Sequence, residues 1–235
     1  MRMPIPSEVQ KLIDSALADV AAQPQRQLLP VRRLPIYRAL QMAAGPGAAE
    51  RVRGRLALLA ACRVLPLWQA AMPIYAEDDV DEHGVVANKL AEHFLARAEG
   101  VLRGTVDLAL VRKEDADYWY VVGNVEVEIF EALEETDGPL FYAFFALDAA
   151  YKALHEALGY EQLGRLKGWE SHTDDTLPRF ACDAASSAAI AASGGGDLDA
   201  GPPIDLPKRL EFWDWWLTSA IPAAWESGHS SHLSG

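Results

Sequence analysis

Six histidines and two cysteines are the residues best suited to metal or nucleophilic chemistry, and their spacing argues against both. No HExxH is present, and no two Glu-x-x-His motifs occur as carboxylate-bridged bundles require. The nearest constellations are His83 with His93, His155 beside Glu156, and His172 with Asp174 and Asp175. The last of these reads as a helix start carrying acids, which capping and the helix dipole explain without a metal. Neither a metal nor a cofactor is expected. Cys62 and Cys182 each lie inside an alanine-rich helical pattern, which predicts buried free thiols in a reducing compartment. Catalysis through either thiol would need a partner histidine that the spacing does not supply. There is no G-x-S-x-G elbow, phosphate loop or dinucleotide fingerprint, and Gly194-Gly195-Gly196 follows a helical pattern instead of a strand. An enzyme is therefore not expected.

The chain is half hydrophobic over 235 residues, enough to bury a core in one domain. Its formal charge of −13 is unevenly spread. Residues 1–76 carry 10 Lys/Arg against 4 Asp/Glu, whereas residues 77–235 carry 11 against 30, a net −19. An acidic body repels nucleic acid and anionic membranes and speeds encounter with a basic partner. Glu77, Asp78, Asp79, Asp81 and Glu82 form its densest cluster, with Asp174 and Asp175 next, and these seven are the expected partner contacts. No stretch is long enough to span a membrane, and no apolar leader follows the early charges Arg2, Glu8 and Lys11, so a cytoplasmic protein is expected.

The elements that must position these residues are helical. Val9, Leu12, Ile13, Ala16, Leu17 and Val20 follow the i, i+3, i+4 rule behind Pro6-Ser7, with Pro24 just beyond. Helices are predicted next over about 32–44, 48–72 and 84–103. Arg51, Arg53, Arg55 and Arg63 spread around the second of these, so some must pair internally. Tyr118–Val122 and Val125–Phe130, separated by Gly123-Asn124, fit either a short hairpin near 118–130 or a helix with a weak middle. Pro139 opens the most apolar helix, which should be central. Asp174 and Asp175 are expected to cap an alanine-rich helix. The Gly-rich stretch 194–203 reads as a flexible loop, and residues 227–235 as a disordered tail after a domain of 1–226.

Residues 207–225 are the most specific segment, with three tryptophans and a phenylalanine in five positions. Asp205 can cap this helix, and Pro207 suits its first turn. Leu210, Trp213, Leu217, Ala220, Ile221 and Ala224 share one face, bordered by Trp216 and Trp225. Phe212 and Trp215 fall opposite, which requires either a second covering layer or a partner. Asp214, at the edge of the apolar face, calls for an arginine. Pro222 should kink or end the helix. Trp213, Asp214, Trp216 and Trp225 are the motif of this segment.

KRLEFWDWWLTSAIPAAW resembles the closing helix of the fifth immunity-protein family of bacterial polymorphic toxin systems. RLALLAACRVLPLW at 55–68, the Asp174-Asp175 pair and the Gly-rich break at 194–196 are compatible with it, in order along most of the chain. Residues 77–135 depart from the resemblance most, so it does not carry over the identity of a partner. The resemblance implies an all-α, single-domain bundle of about seven or eight helices and favours a helix over 117–131. It also implies a non-catalytic protein that binds a cognate toxin domain and occludes its active site or an adjacent surface. Readings from other classes are a helical metal-dependent hydrolase and a helical adaptor.

Overall fold

A computed structural model describes residues 3–72, 86–133, 138–160, 166–196 and 202–229. The chain is all-α, with no sheet among the described residues. Its helices are α1 (Ser7–Ala22), α2 (Pro30–Ala44), α3 (Ala48–Ala71), α4 (Leu90–Arg103), α5 (Leu108–Leu133), α6 (Pro139–Ala157), α7 (Ala184–Ser193), α8 (Leu206–Trp215) and α9 (Ile221–His229).

The centre is α6, as expected of the apolar helix that Pro139 opens. Leu140, Phe141, Phe144, Phe145, Leu147 and Leu154 are all buried, on more than one face. It packs most extensively on α3, then on α7 and α4. Small residues permit the close approaches. Alanine and serine make up nearly all of α7, and a Cβ on Gly54 of α3 would stand 2.6 Å from Leu102 of α4. Gly228 is as constrained, since a Cβ there would meet the Val52 backbone at 3.0 Å where α9 crosses α3. Trp68, Trp213 and Trp216 are completely buried, with Trp225 nearly so. Fully burying one large side chain contributes on the order of 1.5–3 kcal/mol, so this aromatic group is a main source of stability.

Of the two readings open for residues 118–130 the helix holds, since α5 runs unbroken through Gly123-Asn124. Four local expectations are revised. Asp174 and Asp175 do not cap the alanine-rich helix: Pro178 holds the chain extended, and α7 starts only at Ala184, where Asp183 Oδ1 accepts the Ser186 N–H at 2.7 Å. Pro222 neither ends nor breaks its helix. Residues Trp216–Ala220 widen into a π turn in which the Ile221 N–H reaches back to Trp216 O, and the helix continues to His229. This wider turn sits where proline cannot supply the N–H that Thr218 O would otherwise receive. Asp214 is exposed and makes no ion pair among the described residues; arginine pairing falls instead on Glu211, which meets Arg63 at 2.8 Å. Cys62 is exposed rather than buried, while Cys182 is buried; both are free.

The face expected to be core in the tryptophan helix is core, and a second layer covers Phe212, which is 2 % exposed. Trp215 is half-buried, with the Arg63 guanidinium 5.1 Å from its ring centre. All four arginines of α3 are used: Arg53 pairs with Glu156, Arg55 with Glu99 and Arg63 with Glu211, while Arg51 donates to the Gly228 carbonyl at 3.0 Å.

Candidate functional site

The polar chemistry of this protein converges on the segment between α6 and α7. Asp174, Asp175 and Asp183 all turn inward from it and meet two arginines from distant parts of the chain. Arg33, in the first turn of α2, is fully buried. Its Nη1 donates to Asp174 Oδ1 at 2.9 Å and to the Leu28 carbonyl, its Nη2 to Ser186 Oγ at 2.5 Å, and its Nε lies 3.3 Å from Asp183 Oδ2. Trp213 lies beside it, with 5.2 Å from ring centre to guanidinium. Tyr37 completes the group by donating to Asp183 Oδ2 at 3.2 Å.

Arg209, one turn into α8, clamps Asp175 with two hydrogen bonds of 2.8 and 2.9 Å. Its Nε donates to Ser193 Oγ at 3.0 Å and its Nη2 to Gly194 O at 2.6 Å. Asp175 also accepts the Gly196 N–H at 3.0 Å and the Gln27 side-chain amide. Gly194, Gly195 and Gly196 all have positive φ, and a Cβ on Gly195 would fall 2.2 Å from Asp175 Oδ1. The glycines are thus a collar around an ion pair, not a phosphate cradle.

Burial alone would disfavour each charge in this group, and the partners decide the outcome. For Asp183, burial raises the carboxyl, but Arg33 and the two hydrogen bonds from Ser186 more than reverse it, and its pKa falls below 3.8. Asp174 shares the same guanidinium, and its Oδ2 has no hydrogen-bond partner among the described residues, so burial wins and its pKa rises above 3.8. Burial likewise opposes the charge on Arg33, yet Asp174 and Asp183 hold its pKa above the ordinary guanidinium value.

A second buried group ties α6 to α7. Lys152 Nζ donates to Asp148 Oδ2 at 2.5 Å, Ser187 Oγ at 3.0 Å and Arg179 O at 2.9 Å, while Ser187 donates to Asp148 at 2.6 Å. A serine beside a lysine is a nucleophilic pairing in type, but Ser187 is fully buried and Lys152 is 3 % exposed, so no substrate reaches them. Burial pushes the Cys182 thiol up to about 12, which makes it inert.

The histidine constellations do not assemble as ligand sets. His155 meets Asp115 at 3.0 Å while its neighbour Glu156 turns to Arg53. His172 packs against Trp169, apart from the inward pairs of Asp174 and Asp175. His93 meets Tyr118, and His83 lies outside the described residues. Among the described residues no group of three His, Cys, Asp or Glu could hold a metal. Of the expected contact acids, Glu77, Asp78, Asp79, Asp81 and Glu82 lie outside the described residues. Asp174 is 1 % exposed, and the Asp175 side chain is 16 % exposed.

Sequence reasoning missed Arg33 and Arg209 as the anchors. A usable signal was present. Asp174 and Asp175 stand ahead of a small, apolar stretch, and acids entering a core require cations. Nothing local says which of 21 Lys/Arg answers them.

Fold and clasp together define an all-helical protein whose charged side chains fasten its own segments to one another. A family model described as "Immunity protein Imm5" matches residues 13–223, a span that holds every residue of both buried groups. The chain belongs to this immunity-protein family. No curated protein matches it. Among the described residues no helix is long and apolar enough to cross a membrane.

Proposed function

We propose that this protein is a cytoplasmic, non-catalytic immunity protein that neutralises a cognate polymorphic-toxin domain by binding over its active site or an adjacent surface. The family match over residues 13–223 carries this reading. The net −19 of residues 77–235 supports it, because a carboxylate-rich surface complements a cationic site and steers its approach. In this reading Glu77, Asp78, Asp79, Asp81 and Glu82 make contact. Asp174 and Asp175 contribute from beneath, fixing the 166–183 segment so that its outer side chains are presented without an ordering cost. Phe180, 68 % exposed and edge-on to Trp169 at 5.9 Å, is such a side chain.

The test is growth of a sensitive host expressing the toxin domain encoded beside this protein, with and without this chain, together with co-purification. Rescue with a stable complex is expected. A toxic neighbour that the chain neither binds nor counteracts would sink the proposal.

A further inference from the structure

The corner between α2 and α3 holds a cleft of about 530 Å³, bounded by Met42, the Gly45-Pro46-Gly47 turn, the first residues of α3 and Gly159. That is within the range of about 300–1,000 Å³ typical of small-ligand sites. Three features make it electropositive in an otherwise acidic protein. The first is the N-terminus of α3, a 24-residue helix that no side chain caps because Gly47 occupies the capping position.

The second is Arg53. It is 7 % exposed and borders both this cleft and a small inner cavity shared with Tyr37, Glu156 and Asp183. Its Nε donates to Glu156 at 2.7 Å, and its two Nη groups make no hydrogen bond among the described residues. Both terminal nitrogens keep contact with solvent. Together they offer the planar fork that carboxylate and phosphate groups fit.

The third is the rim. Arg51 Nη1 and Arg112 Nη2 each lie 3.9 Å from where a Cβ would stand on Gly47 and Gly159. Each is tethered by one backbone carbonyl, Gly228 O or Leu158 O, and neither joins an ion pair among the described residues. Two carboxylates oppose an anion: that of Glu50, exposed and lining the cleft, and that of Glu156, already paired with Arg53. A Cβ on Gly45 would meet nothing within 4 Å, so the turn leaves the mouth open.

We propose that this cleft is an oxyanion site that takes the carboxylate or phosphate group of a small soluble ligand, held by the Arg53 fork and the start of α3. The assignment is independent of toxin binding.

The test follows backbone amides 48–50 and the arginine Nε–H signals by NMR while sodium phosphate or sodium acetate is added, with sodium chloride at matched ionic strength as control. Saturable shifts with either anion are expected; phosphate alone, acetate alone or both would define the ligand class. Arg53→Gln should weaken binding about tenfold, the loss of one charge-assisted hydrogen bond. Because that change strands Glu156, two exposed variants accompany it: Arg112→Gln should weaken binding about threefold and Glu50→Gln tighten it about threefold. Shifts no greater than those with chloride for both anions, or saturable shifts that none of the three variants alters, would overturn the assignment.

Discussion

Replacing Arg209 by leucine would leave the Asp175 carboxylate facing the glycine collar with its two strongest donors gone. Breaking a buried pair from one side costs about 3–5 kcal/mol, because the surviving charge is stranded. Urea denaturation should show that loss for Arg209→Leu, and adding Asp175→Asn should recover part of it. A loss under about 1 kcal/mol would place the pair among weak surface bridges. Acid separates the two carboxylates on Arg33. The pKa of Asp183 is lower in the fold than in the unfolded chain, so the unfolded chain binds the proton more readily, and this stability is present above pH 3.8 and lost as pH falls through the folded value. Asp174 has the opposite sign. Its folded pKa is raised, so protonating it favours the fold as pH falls toward 3.8. From these two groups, denaturation midpoints measured against pH should rise slightly toward about 3.8 and drop below it, and Asp183→Asn should flatten that drop. A variant with the wild-type slope would remove Asp183 from the acid response.

Among the elements, the apolar helices were legible because their periodicity is a local property. Leu210, Trp213, Leu217, Ala220, Ile221 and Ala224 lie on one face in sequence and pack inward as that face requires. The π turn was not legible, since proline only announces a missing donor, and whether the helix stops or widens depends on the packing around Trp216 and Ile221. The start of α7 was misplaced for a similar reason. Two aspartates looked like caps, yet the cap is Asp183, and the earlier pair is drawn inward by arginines 141 and 34 positions away in the chain. The helix over 118–130 shows tertiary context overriding β-branched propensity. The collar between α7 and α8 makes a sharp prediction. Gly195→Ala combines a positive φ with a Cβ 2.2 Å from Asp175 Oδ1, so it should destabilise the fold by more than the ~1 kcal/mol that exposed left-handed glycines lose. Thermal unfolding of Gly195→Ala beside Gly104→Ala, whose Cβ meets nothing within 4 Å, separates clash from strain; equal losses would mean the ion pair yields freely.

For the whole molecule, charge is partitioned by depth as well as along the chain. Several of its arginines work inside, against acids that would otherwise oppose burial, and the acids left over give the exterior its sign. Under the proposed function, reversing the five charges at 77–82 should slow association with the toxin domain, most strongly at low salt, while leaving dissociation nearly unchanged. Stopped-flow association rates that match wild type across ionic strengths would move the contact surface elsewhere. The two free thiols carry a different consequence. Cys62 stands open to solvent, with its pKa raised by partial burial and by Glu99, while Cys182, two residues ahead of α7, is buried. A thiol reagent should therefore modify one position at once and the second only as often as the fold opens, so the molecule carries its own clock for unfolding, with the zero mark built in.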